Sequence, residues 1–566
     1  MRLTSVFVRS CIYAAFAGVV PAVAVAQGPS PGDRERRTGV LRQEEDALPG
    51  CTLFAPLMNN VIYLVDMQGN VVQEWHSDYP SVGSVDLEDN GHLLRCSRVK
   101  DNPRFRSGGD SGRIEEIARD SSVVWAYEYS SKDHMHHHDV CRMRNGNLLF
   151  AAWEKKTREE AIAAGRDPRL IGQEFWPDHV IELRPERPQG GTIVWEWHMF
   201  DHLVQDFDPT KANYGDVASH PERIDINADR PRERMSDEER QRLEELGYIP
   251  AVDETAGKSP DSEAEPDKSG AGSATNAPPP PPPPVPNVNG DWTHLNSIDY
   301  HEDLDQIVLS SPNLCELYVI DHSTTTEEAR GHQGGRSGNG GDILYRWGNP
   351  SNYRMGTVAD RKLFAQHNVH WIAEGMEGEG HLLLFNNGAG RPEGAFSTIL
   401  EIETPIDENG RYLRESGRRF GPESPAWEFV PLAEENLFSS FISGTQRLEN
   451  GNTLICSGEQ GRFVEVSYEC DIVWEYVNPF LGDPNRNIFA NQANASAGAD
   501  DAASEPDEAA AQDASKSAVA PPRPDVFAGG PFAGLVGQNA ARQPNAVFRA
   551  LRIPSDHPGL RALLDR

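Results

Sequence analysis

Residues 61–75, VIYLVDMQGNVVQEW, decide the fold. An apolar run at 61–65 meets Asp66, turns at Gly69 and returns through Val71-Val72 to end on Trp75. β-Branched and aromatic residues on either side of an Asp-x-x-Gly turn read as an antiparallel hairpin. The pattern recurs along the chain. Runs at 114–117, 180–183, 317–320, 399–402 and 463–466 are each followed by a strand that ends on or contains a tryptophan, namely Trp125, Trp195, Trp347, Trp427 and Trp474. Asn-Gly turns at Asn90-Gly91, Asn145-Gly146 and Asn450-Gly451 mark further hairpins. Six tryptophans therefore mark six units, several of them about 50 residues apart. One small sheet cannot bury both of its faces, whereas four-stranded units stacked radially around a channel can. The expectation is an all-β chain, a six-bladed β-propeller over 51–553 with two low-complexity insertions.

The remaining segments are set apart by composition. Arg2 and Arg9 flank the start, an apolar stretch covers 11–20, and Ala24-Val25-Ala26 precedes Gln27. This reads as a signal peptide over 1–26, which places the mature protein in the periplasm or outside the cell. A polar leader follows at 27–50. No later run approaches about 18 uninterrupted apolar residues, so no membrane span is expected. The first insertion, about 199–290, holds a predicted helix at 237–246 with Ser236 and Glu239 as its capping box, then seven consecutive prolines from Pro278 to Pro284. The second, about 492–543, is rich in Ala, Asp, Ser and Pro. Beyond it, Ala546 to Leu551 reads as a late strand completing the last blade, and 554–566 as a tail capping the surface.

The formal net charge of -34 argues against nucleic acid and anionic membranes as partners, because phosphate contacts require Lys and Arg clusters that this chain lacks. Six cysteines remain after cleavage at residue 26, with no CxxC pair among them. An exported chain permits disulfides, yet this spacing assigns none and suggests neither a zinc ribbon nor a thiol redox site. The glycine-rich segment 331–341 lacks the Lys-Ser/Thr of a phosphate cradle and reads as a surface turn. No cofactor and no metal is expected.

The chemistry centres on 364–388, FAQHNVHWIAEGMEGEGHLLLFNNG, where His367 precedes an apolar strand read as the inner strand of the fourth unit. Seven residues before three of the Asn-Gly turns stand Gly83, His138 and Ser443. The corresponding positions in the units with longer loops are His294 and His367. Three successive units thus offer a histidine to a common channel mouth. Period-two alternation predicts that Asn296 points with His294, and His136 with His138, while His137 faces away. A His and Asn set of this kind suits oxyanion binding and proton transfer. The run HMHHHD at 134–139 has a metal-site reading too, but no carboxylate or cysteine recurs at the matching positions. His134 to His137 read as a solvated loop entering the strand.

Several segments together resemble the bacterial arylsulfotransferases: His137-His138-Asp139 before NGN, DWTHLNSIDY at 291–300, GDILYRWGNP at 341–350, QHNVHWI at 366–372 and RLENGNTL at 447–454. The resemblance implies an exported six-bladed propeller that moves a sulfuryl group from an aryl sulfate donor to a phenolic acceptor, without a nucleotide donor. It makes His367 the nucleophile that carries the group as sulfohistidine in a ping-pong cycle. His138, His294 and Asn296 match residues that bind the sulfuryl oxygens and move protons. The sequence departs from the family pattern at Ser310-Ser311-Pro312-Asn313, where an arginine is expected; Arg447 and Arg549 are the candidates to replace it. The alternative is a secreted propeller that binds a ligand or metal at the channel histidines without turnover.

Overall fold

Each hairpin predicted around a tryptophan forms, and each belongs to an antiparallel sheet, four-stranded in five blades and five-stranded in the sixth. The computed structural model describes residues 37–229, 290–482 and 545–564. The predicted helix at 237–246, the proline run, the signal peptide and the second insertion lie outside them. The chain divides into Met1–Arg37 and Thr38–Arg566, and all the blades belong to the second unit.

The turns explain the local structure. In the first hairpin Asp66 Oδ1 accepts from the amides of Gln68 and Asn70 at 2.9 and 2.8 Å, and Gly69 takes φ 82°. The side chain thus replaces a backbone acceptor, and glycine supplies the left-handed position without a Cβ clash. Asn90, Asn145 and Asn450 make the same contact to the amide two residues on.

Six sheets close into a six-bladed β-propeller. From the inside outward the second blade runs Ser81–Leu87, Leu93–Arg98, Gly112–Ile117 and Val123–Glu128. The third blade begins at His134–Arg142, the fourth at Ser297–His301, the fifth at His367–Trp371 and the sixth at Gly444–Arg447. The expectation for the late strand is corrected here. Val547–Pro554 pairs with Gly50–Pro56 as the innermost strand of the first blade, not the last. Within the leader, Gly39–Gln43 pairs with Ile472–Val477 at the outer edge of the sixth blade. The sequence units therefore straddle blades, and His367–Trp371 opens the fifth blade instead of the fourth. Closing the ring with strands from both ends of the chain shifts the phase, and local sequence carries no information about which sheet edge a strand will join.

Apolar side chains fill the spaces between adjacent blades. Leu53, Ile62 and Trp75 pack with Val85, Leu93 and Ile117 between the first and second, and clusters of the same kind occupy the other five junctions. The tryptophans act across these junctions. Trp125 Nε1 donates to Gly190 O (2.9 Å), Trp195 to Thr324 Oγ1 (3.2 Å), Trp347 to Pro422 O (2.8 Å), Trp427 to Tyr468 O (2.9 Å) and Trp474 to Met67 O (3.2 Å). In each case the acceptor belongs to the next blade, so one residue provides apolar bulk and a polar latch.

The described part of the first insertion is ordered. Leu203–Val204 pairs in parallel with Ile224–Asp225, and Arg346, fully buried against Glu316, donates to the carbonyl of Arg223 at 2.8 Å. The C-terminal helix Pro558–Leu564 packs Leu560 and Leu563 on the junction of the first two blades. No helix among the described residues is long and apolar enough to cross a membrane.

Candidate active site

The inner strands of three consecutive blades are entered through residues at positive φ. His138 (61°), His294 (55°) and Asn368 (54°) adopt the left-handed region, which bends the chain and re-aims its side chains. Period-two alternation consequently fails at the site. His137 Nδ1 lies 2.8 Å from His138 Nδ1, so these two act together, while His136 turns to Ser111 Oγ at 2.8 Å. His136 and His137 are fully buried, which corrects the expectation of a solvated loop. His294 and Asn296 both precede the strand that begins at Ser297, so strand alternation does not govern their directions.

His138 and His294 meet edge to face, their ring centroids 4.5 Å apart. Hydrogen-bond roles assign their protons. His137 Nε2 donates to Asp178 Oδ1 at 2.7 Å, because a carboxylate oxygen accepts. With a neutral His137 ring, Nδ1 then accepts from His138 Nδ1, and His138 Nε2 carries a lone pair. Burial holds the His138 pKa well below the ordinary histidine value, and the neighbouring His294 and His137 add to the effect. Gly108 and Gly109 face this edge; a Cβ on Gly109 would stand 2.2 Å from His138 Nε2.

His294 has the opposite character. Its Nδ1 donates to Asp291 Oδ2 at 2.5 Å, and the same carboxylate accepts from Ser107 Oγ (2.6 Å) and Trp153 Nε1 (3.0 Å). Burial disfavours charge on His294, but Asp291, and Asp178 behind it, outweigh burial and raise its pKa. Burial raises the Asp291 pKa, and His294, with Ser107 and His137, more than offsets this to leave it below the usual carboxylate range. The side chain of His294 remains 16% exposed, leaving Nε2–H available.

His367 is neutral. Asn387 donates through Nδ2 to the carbonyls of Ser439 (2.8 Å) and Ile442 (2.9 Å), which orients its Oδ1 toward His367 Nδ1 at 2.8 Å. The proton is therefore on Nδ1, with Ala365 O a second acceptor at 3.0 Å. Nε2 holds the lone pair and accepts the Ile442 amide at 3.1 Å. Burial pulls the His367 pKa down to about 3; the Asn387 bond opposes the shift, and the charges of His294 and Arg549 reinforce it. Three histidines thus converge with one favoured as the cation and two held neutral.

The other candidates divide. Asn296 is fully buried and donates through Nδ2 to Gln366 O at 2.8 Å, which positions the peptide before His367, while its Oδ1 has no partner among the described residues. Arg549 reaches the site but is paired with Asp139 Oδ2 at 2.9 Å, beside His138. Arg447 is not brought to the histidines; it bonds Glu401 and Gly451 O and lies over Trp427. Pro312 accepts the Cys315 amide in a tight turn. Sequence reasoning missed Asp178, Asp291, Asn387 and the Gly108-Gly109 pair. Asp291 stands within the quoted DWTH segment, three residues before His294, and Asn387 within the FNNG that ends the 364–388 stretch, but no periodicity links either to a histidine.

The described cysteines are free thiols, most of them buried. Among solved structures, a Bacteroides caccae protein of unknown function aligns at 11% identity over 76% of this chain and 93% of its own, with a TM-score of 0.35. Virginiamycin B lyase from Staphylococcus aureus aligns at 9% identity over 79% and 90%, with a TM-score of 0.32. Similarity at that level has no bearing on activity. No curated protein matches the chain. The family model described as Arylsulfotransferase (ASST) matches residues 52–475. That span runs from the first blade into the strand Ile472–Val477 of the sixth and contains all three histidines, so the chain belongs to the arylsulfotransferase family and is a sulfotransferase enzyme.

Proposed function

We propose that the enzyme moves a sulfuryl group from an aryl sulfate ester to a phenol through a sulfohistidine on His367, with no nucleotide donor, after export from the cytoplasm. The observation that carries this reading is the contrast between His367, whose Nε2 lone pair accepts the Ile442 amide and whose pKa burial depresses, and His294, whose Nδ1 donates to Asp291 and whose pKa that carboxylate raises against burial. Environments that drive the pKa values of neighbouring groups apart mark nucleophile and acid.

In the first half-reaction His367 Nε2 forms a bond to sulfur and the sulfur–aryl oxygen bond breaks. The departing phenolate takes the proton from His294 Nε2. Positive charge that develops on the His367 ring is met at Nδ1–H by the neutral amide oxygen of Asn387. A neutral acceptor leaves the sulfuryl-imidazolium reactive, where a carboxylate would stabilise it. In the second half-reaction the acceptor phenol gives its proton to His294, now neutral, its oxygen bonds to sulfur, and the sulfur–nitrogen bond breaks to restore neutral His367. Sulfuryl transfer resembles phosphoryl transfer in being loose and in line, so fixed donors and positioning dominate. His138, held neutral, keeps a second positive charge out of the acid's surroundings.

The Ile442 amide must leave Nε2 before attack. Ile442 and Ser443 both have positive φ, 51° and 91°, a costly conformation for non-glycine residues. Once a donor is bound, the freed amide becomes a hydrogen-bond donor for a sulfuryl oxygen.

The test is to treat the full chain with an aryl sulfate and no acceptor, then map the sulfuryl adduct by mass spectrometry on intact peptides. The adduct is expected on the peptide holding His367 and absent from His367→Ala. An adduct on another residue would falsify the assignment. Phenol-dependent release of a chromogenic leaving group supports transfer, while equal release in water alone marks a sulfatase instead.

A further inference from the structure

Away from the histidine trio, a second constellation joins the first insertion to the glycine-rich segment that the transfer chemistry leaves unused. His202 follows the short 3-10 turn Met199–Asp201, while His332 and Asp342 stand near the two ends of the glycine-rich loop. Their ligand-type atoms all lie within 4.8 Å of one another. Asp342 Oδ1 is 2.9 Å from His202 Nδ1 and 2.8 Å from His332 Nδ1.

One proton of His202 is fixed by its far nitrogen. Nε2 lies 2.8 Å from Ala329 O, and a carbonyl only accepts, so Nε2 carries the hydrogen. In a neutral ring Nδ1 is then a bare lone pair, yet it faces a carboxylate oxygen, which is also an acceptor. His202 has no exposed surface and lies flat on Trp197, with ring centroids 5.5 Å apart and planes 6° apart, so the ring cannot turn away. A second imidazole nitrogen points at the same oxygen. A cation placed among the three atoms satisfies all of them at once. An imidazole anchored through its far N–H to a backbone carbonyl is the arrangement metal-binding histidines use.

We propose that His202, His332 and Asp342 bind a divalent transition-metal ion, zinc above all, that pins the segment from His202 to Asp229 onto the glycine-rich loop of the fourth blade.

Two imidazoles and one carboxylate match zinc and its first-row neighbours, and do not match calcium or magnesium, which take oxygen ligands. Ligands at about 2 Å in tetrahedral geometry stand about 3.3 Å apart, slightly wider than the present contacts. The loop can supply that opening, because His332 is 43% exposed in its side chain and sits among glycines. The same exposure leaves a fourth position to water. Glycine is required at 341: a Cβ there would stand 2.1 Å from Ala329 O and 2.7 Å from His202 Nε2. The loop's composition thus follows from threading past a buried imidazole. Ile343 N also donates to Glu222 O at 2.9 Å, so the ion would reinforce an existing seam between insertion and blade.

The experiment uses the full chain, stripped with a chelator and dialysed, then titrated with zinc and separately with cobalt(II). The expected results are one equivalent of metal retained after desalting, visible d–d absorption from cobalt in a nitrogen–oxygen site, and a higher unfolding midpoint with zinc. Chelation is expected to speed proteolysis within 202–229. His332→Ala, at an exposed position that does not threaten folding, and Asp342→Asn should abolish all four effects without changing the far-ultraviolet spectrum. If the native chain retains no stoichiometric metal, or His332→Ala retains it equally, the three groups are joined by protons alone and the proposal is overturned. Neither result bears on sulfuryl transfer, which is read separately on His367.

Discussion

Asp291 Oδ2 stands 2.5 Å from His294 Nδ1 and forms part of a buried polar cluster with Ser107 and Trp153. Burial disfavours charge on His294, and this pair favours it, raising the pKa; the cluster also connects the loop of the second blade to the entry of the fourth.

Asp291→Asn should lower the His294 pKa and move the basic limb of the pH–rate profile to lower pH. The loss should grow with the basicity of the leaving phenol, reaching about 100-fold or more for poor leaving groups, the usual worth of a general acid. Rates for a series of aryl sulfates across pH, native against variant, measure this. An unchanged basic limb would remove His294 from the acid's role.

The same shifts set the pH dependence of stability. His294, raised in the folded state, contributes stability that is complete below the ordinary histidine value of about 6.5 and is lost as pH rises through its folded value. His367, depressed to about 3, works the other way: stability is complete above about 6.5 and declines as pH falls toward about 3. Denaturant midpoints of His294→Gln and His367→Gln against pH should diverge from the native curve on opposite sides of that value.

Asn387→Ala should free the His367 ring to take either tautomer and to rotate. Adduct formation in a single turnover is expected to slow by about 100-fold, a typical effect of mispositioning a reacting group. Substrate affinity should change far less. A rate equal to that of the native chain would mean that the Asn387 contact does not position the nucleophile.

Gly109→Ala places a Cβ 2.2 Å from His138 Nε2 at φ 74°, whereas Gly146→Ala meets nothing within 4 Å at φ 88°. Both substitutions should destabilise by about 1 kcal/mol through their left-handed backbone. Only Gly109→Ala should abolish turnover. Thermal melts and initial rates, measured side by side, separate the backbone effect from displacement of His138.

Arg346→Ala should destabilise by about 3–5 kcal/mol, since it strands Glu316 in a fully buried site. It also releases the carbonyls of Pro221 and Arg223, so chemical denaturation should be accompanied by faster cleavage within 202–229.

The propeller was legible in the sequence because its information is local. Asp66-x-x-Gly69 and the Asn-Gly turns encode hairpins through side-chain hydrogen bonds that span a few residues, and Trp75, Trp125, Trp195, Trp347, Trp427 and Trp474 count the units. His138, His294 and His367 were legible as a set because corresponding positions in a repeat face a common channel. The closing strand was not. Val547–Pro554 meets Gly50–Pro56 only after the whole ring has formed, and that choice depends on contacts nearly 500 residues apart. The orientation of the side chains was also a tertiary matter: positive φ at His138 and His294 breaks the alternation from which their neighbours' directions were read. The protonation of His138 and His367 depended on residues from other segments, Asp178 through His137 and Asn387 after the adjoining strand, while that of His294 depended on Asp291, three residues before it and held in place by Ser107 and Trp153 from other blades. Sequence by itself determined the residue types and their repetition; tertiary structure alone decided which carboxylate or amide faces which imidazole, because burial and hydrogen-bond partners, not residue type, set where each proton resides.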